Sequence, residues 1–125
     1  MADLEEAVIL SEIAGMVADH TTPDSDAAFL YAEAEDGMVG PALFQDMGDV
    51  VRYIAPSLAL SLKIMDLWDA ADETKKWAAL FLTIQGDQFD VRFQYAGKWG
   101  DEDEGERRDR VLGAKYGNKR IVYGD

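Results

Sequence analysis

The single histidine of this chain, His20, has no cysteine and no second histidine to work with. Neither a nucleophilic triad nor a nitrogen-rich metal site can be assembled around it. A surface role at a helix end suits its position just before the breaker Thr21-Thr22-Pro23. Asp24-Ser25-Asp26 offers a carboxylate pair, but the calcium-loop pattern breaks at Ala28, and a polar turn is the better account. The eleven glycines include no GxGxxG or GxxxxGK[ST] string, which removes the usual phosphate-cradling loops. Twenty-five acids supply so many accidental carboxylate pairs that no pair points to acid–base catalysis. This inventory argues against an enzyme and leads us to expect no cofactor and no metal.

Charge says more than any motif. Residues 1–51 hold twelve acids and no Lys or Arg, the first base being Arg52. The other 13 acids nearly cancel the 12 bases, so twelve of the thirteen net negative charges fall before Arg52. Such a field repels nucleic acid and anionic membranes and draws in cations. Acids also keep a protein soluble, but 51 residues without a base favour a basic protein partner. The basic stretch from Arg107 to Arg120 suits the C-terminal half of a helix better than a phosphate contact.

At 125 residues and 48% hydrophobic content, residues 1–125 are expected to fold as one domain around one core. The absence of cysteine points away from an oxidising compartment. The acidic start Met1-Ala2-Asp3-Leu4-Glu5-Glu6, with an apolar run only from Ala7 to Leu10, resembles neither an export signal nor a span. A cytoplasmic location follows as an expectation.

The elements that must carry these charges can be read from periodicity. Asp3 and Glu6 suit a capping box, with Leu4, Val8, Ile13, Met16 and Val17 at helical spacing behind them. From Ala27 the pattern turns to strand through Glu35, then an Asp36-Gly37 hairpin turn leads into Met38 to Gln45. A third strand is expected at Val50 to Ile54. Pro56 and Ser57 then open a helix with two apolar stripes: Leu58, Leu62, Met65 and Trp68 on one, Leu60, Ile64, Leu67 and Ala71 on the other. Strands from Trp77 to Gln85 and Gln88 to Tyr95 flank a turn at Gly86-Asp87. The acids Asp101-Glu102-Asp103-Glu104 precede Arg107, Arg108, Arg110 and Lys115, the polarity a helix dipole favours, and Gly117-Asn118 should end that helix. Ile121 to Tyr123 could add a short terminal strand. The predicted fold is α+β, an antiparallel sheet of about five strands in the order α-βββ-α-ββ-α.

Alternation assigns the faces. Leu30, Ala32 and Ala34 oppose Phe29, Tyr31, Glu33 and Glu35; Ala78, Leu80, Leu82 and Ile84 oppose Trp77, Phe81, Thr83 and Gln85. Phe89, Val91, Phe93 and Tyr95 should face inward, with Asp90, Arg92 and Gln94 outside. Were the second sets to share an exposed face, aromatics and carboxylates would mix there as in a surface that docks a basic protein. The alternative is a terminal helix or a second subunit covering Phe29, Tyr31, Trp77 and Phe81. On the first reading the contact pool is Asp24, Asp26, Glu33, Glu35, Asp36, Asp46 and Asp49, with Tyr31 and Trp77 as aromatic anchors.

The run Trp77-Ala78-Ala79-Leu80-Phe81-Leu82-Thr83-Ile84, the turn Gly86-Asp87 and Phe89-Asp90-Val91-Arg92-Phe93-Gln94-Tyr95 resemble the paired strands of the YezG-like antitoxin and immunity family. Glu106-Arg107-Arg108 followed by Lys115-Tyr116-Gly117 is similar to that family's closing helix. The chain differs at Val111-Leu112-Gly113, where an aromatic is usual, and in the added tail from Asn118 to Asp125. The resemblance implies an immunity protein that binds and blocks a toxin, often a nuclease, which agrees with the charge. The alternatives are a chaperone or adaptor for a basic secretion substrate and, further off, a small metal-dependent enzyme. The oligomeric state is open at this point.

Overall fold

The computed structural model describes residues 2–21, 27–35, 38–71, 76–85, 88–95 and 104–123. In chain order these form α1 (Ala2–His20), β1 (Ala27–Glu35), β2 (Met38–Asp46), β3 (Val50–Ile54), α2 (Leu58–Ala70), β4 (Trp77–Gln85), β5 (Gln88–Tyr95), α3 (Glu104–Tyr116) and β6 (Arg120–Val122). The class is α+β, and the order extends the expected one by a final strand. The strands make one six-stranded sheet ordered β5-β4-β1-β2-β3-β6. It is mixed rather than purely antiparallel: β6 runs parallel to β3, pairing Val51 with Ile121. The connection through α2, β4, β5 and α3 is long enough to permit that parallel return.

α1 and α2 cover one face of the sheet and α3 covers the other. The first core joins Ile13, Val17, Leu60, Ile64 and Leu67 of the helices to Leu30, Leu43, Leu80 and Leu82 of the strands. The second sets Val111 and Leu112 of α3 over Phe29, Tyr31, Phe44, Val51 and Phe81. Alternation in β1 therefore divides its side chains between the two cores as expected.

Local signals account for the helix ends. Ser57 caps α2, its Oγ accepting from the Leu60 N–H at 3.1 Å. At the other end Lys76 donates to the carbonyls of Trp68 at 2.7 Å and Asp69 at 3.3 Å, placing a cation on the negative end of the helix dipole. α3 ends where Gly117 takes φ +62°, its N–H donating to the Gly113 carbonyl at 2.8 Å. α1 begins at Ala2, so Asp3 lies inside it rather than at its cap.

Two apolar stripes come out differently from expectation. In α1 the buried arc runs through Ile9, Leu10, Ile13, Ala14, Met16 and Val17, leaving Val8 55% exposed. In α2 one stripe is buried (Leu60, Ile64, Leu67 and Ala71), while Leu58 and Leu62 of the other are 74% and 57% exposed. α1 packs against one flank of α2 and the sheet against another, and Leu58 and Leu62 lie on neither of these flanks. The hairpin turns Asp36-Gly37 and Gly86-Asp87 lie outside the described residues.

Candidate functional site

The aromatic–carboxylate face predicted for the sheet exists, but α3 lies on top of it. Tyr31 is 2% exposed, its ring 5.3 Å from Phe81, and its hydroxyl donates to Glu33 Oε2. Arg107 of α3 reaches down to the same carboxylate, Nε donating to Oε2 at 2.9 Å and Nη2 to Oε1 at 2.7 Å. A two-pronged guanidinium bond of this kind, largely out of water, fixes where α3 sits on the sheet. Tyr31 is thus a core residue and Glu33 an internal anchor for α3, not partner contacts. Burial, then the hydrogen bond and charge of Glu33, push the Tyr31 phenol well above its ordinary pKa.

Trp77 is corrected for a different reason. The pairing of Trp77 with Tyr95 and of Ala79 with Gln94 leaves Ala78 without an opposite residue, a β-bulge. The extra residue shifts the alternation by one, so Trp77 joins Leu80 and Leu82 in the α1–α2 core instead of sharing a face with Phe81. Its ring lies 5.6 Å from Phe93 and its carbonyl accepts from Trp68 Nε1 at 2.9 Å.

Of the remaining pool, Asp46 is held locally. Its Oδ1 accepts from the Gly48 N–H at 2.9 Å and from Lys119 Nζ at 3.0 Å, and the Gly48 bond above all holds its carboxyl below the ordinary range. Asp49 is exposed in the β2–β3 turn. Asp24, Asp26, Asp36 and the side chain of Glu35 lie outside the described residues.

The helices on the two faces differ in charge. α1 and α2 carry seven acids and one base, whereas α3 through Arg120 carries three acids and six bases. On the helix pair Glu5, Glu12, Asp19, Asp66 and Asp69 are exposed, with Lys63 reaching Glu12 at 3.4 Å. Val8, Leu58 and Leu62 add exposed apolar area to the same layer. Exposed acids and apolar residues on one helix layer are the composition of a surface that docks a basic protein. Sequence reasoning missed this layer because it assigned both α2 stripes to the core; the acids of α1 were already visible in the run without bases.

On the opposite side, α3 and β5 bound a cleft of about 630 Å³ lined by Phe29, Phe81, Asp90, Arg92, Arg110 and Lys115 among others. Arg92 lies over the Phe81 ring at 4.6 Å and Lys115 over Phe29 at 5.2 Å, Lys115 also donating to Thr83 Oγ1 at 3.2 Å. His20 sits at a helix end as expected: its Nδ1 meets the Met16 carbonyl at 2.7 Å, and the Ser57 N–H donates to Nε2 at 3.2 Å, tying the end of α1 to the cap of α2. Among the described residues no group of three or more His, Asp or Glu is placed to hold a metal ion. No helix among them is long and apolar enough to cross a membrane.

A scan against protein-family models and a search of curated protein sequences find no match for this chain.

Proposed function

We propose that this chain is an immunity protein, an antitoxin that docks the outer surface of its α1–α2 layer on a basic toxin domain and neutralises it. The observation that carries the reading is the charge of the helix layer: α1 and α2 together hold seven acids and one base, and the same helices expose Val8, Leu58 and Leu62. A nuclease is the toxin class this surface suits first, because a nuclease is cationic where it grips its substrate. The resemblance of residues 77–117 to YezG-like immunity proteins supports the same reading. Inhibition by binding, in the cytoplasm and without cofactor or nucleic acid, is the mechanism.

The test is co-expression with the product of the adjacent gene, followed by co-purification and an assay of that product's activity. A stoichiometric complex in which the activity is lost is the expected result. A complex that leaves the activity intact would make the chain an adaptor or chaperone for a basic cargo instead. No complex at all would remove the proposal.

A further inference from the structure

Three features meet at the β5 edge of the sheet. Among the described residues β5 hydrogen-bonds to β4 on one side only and is the long edge at eight residues, while β6 at the far edge has three. Exposed edges are ordinarily blunted by brevity, proline or charge. β5 has no proline, and its two charges, Asp90 and Arg92, are of opposite sign. On the α1–α2 face Phe89 and Tyr95 are 44% and 47% exposed at this edge. On the α3 face the cleft opens beside Asp90, Arg92 and Gln94. There Arg92 rests on the Phe81 ring, with no carboxylate within 4 Å among the described residues.

We propose that β5 pairs antiparallel with β5 of a second copy of this chain, about a two-fold axis through Val91. In that register Asp90 of each copy faces Arg92 of the other, Phe89 faces Phe93, and Gln88 faces Gln94. Asp90 and Arg92 stand opposite Thr83 and Phe81 on β4, so both ion pairs form on the α3 face at the mouth of the cleft. Phe89, Val91 and Phe93 stand opposite Ile84, Leu82 and Leu80, so their cross-strand ladder forms on the other face and covers the exposed Phe89. A two-fold axis normal to the sheet requires opposed residues to share a face, which restricts the register to steps of two along the strand sum. The neighbouring registers, centred on Asp90 or Arg92, set like charges against each other, and the one centred on Val91 sets opposite charges together. The net charge of −13 on each copy is screened beyond about 8 Å at 0.15 M salt, whereas the facing pairs are in contact.

Sedimentation of the full chain over a concentration series at 0.15 M salt reads the association directly. A reversible dimer is expected. Asp90→Arg and Arg92→Asp, each made alone, oppose like charges at both pairs and should raise the dissociation constant roughly tenfold or more. Mixed together, the two variants again present opposite charges at both positions, and a heterodimer at least as tight as the parent dimer should form. That rescue also shows that each variant is folded. A chain that stays monomeric at every concentration overturns the proposal. So does a dimer indifferent to both substitutions, and so does a mixture in which no heterodimer appears.

Discussion

Tyr31, Glu33 and Arg107 form a buried chain of hydrogen bonds beneath α3, and its pH behaviour follows from which proton it must keep. The Tyr31 phenol is pushed up first by burial and then by the carboxylate it donates to; that of Tyr116 is pushed up first by burial and then by the charge of Asp46. Both therefore hold their protons in the folded chain at a pH where an unfolded tyrosine, with a pKa of about 10, has lost its own. The folded state then binds more protons than the unfolded one, so stability falls as pH rises above about 10, by about 1.4 kcal/mol per pH unit for each such tyrosine. Below that pH both contributions are fully present. Urea midpoints measured from pH 8 to 11 should decline at the alkaline end, and Tyr31→Phe should remove one tyrosine's share of the slope. An unchanged slope in that variant would mean that Tyr31 titrates as freely as in the unfolded chain.

At the scale of elements, a single residue sets the end of α3. Gly117 carries the chain out of α3 in the left-handed region, and a Cβ built there meets nothing within 4 Å. Gly117→Ala therefore meets no neighbour and incurs only the backbone cost of that conformation, about 1 kcal/mol. A matched substitution at Gly113, inside the helix and equally open, should instead stabilise by a few tenths of a kcal/mol up to about 1 kcal/mol. Thermal melts of the two variants should thus shift in opposite directions. The apolar stripes behave less locally. Leu58 and Leu62 have the spacing of core residues, yet whether a stripe is buried depends on which neighbours the helix receives, and α2 has α1 and the sheet on its other flanks. The bulge at Ala78 is of the same kind: one unpaired residue, invisible in the alternation of β4, reassigns Trp77 from one core to the other.

For the whole molecule, the sheet separates an acidic helix pair from a basic terminal helix, and this asymmetry predicts which substitutions a basic partner will feel. Charge reversal at Glu5, Asp19 and Asp66, all exposed on α1 and α2, should slow association with the proposed basic partner by about tenfold at low salt, an effect that shrinks as salt screens the field. Reversal at the exposed Arg110 and Lys115 of α3 should leave the rate unchanged or slightly raised. Stopped-flow association rates across a salt series separate the two. Equal slowing by both sets would place the docking surface elsewhere.

What the sequence determined by itself is what depends on neighbours along the chain: the three helices, the two antiparallel strand pairs β1–β2 and β4–β5, the division of β1 between two faces, and the run of 51 residues without a base. Periodicity and the signals at Ser57 and Gly117 are local, so they can be read without knowledge of the fold. The tertiary structure decided which face remained exposed. Glu33 and Arg107 lie 74 positions apart, and their pairing seats α3 over Phe29, Tyr31 and Phe81, turning an expected docking face into a second core. The same fold gathers α1 and α2 on the other side, where Glu5, Glu12, Asp19, Asp66 and Asp69 are exposed on the helices that also expose Leu58 and Leu62. Alternation tells which residues share a face, but burial depends on what packs against that face, and that is settled by contacts between residues far apart in sequence.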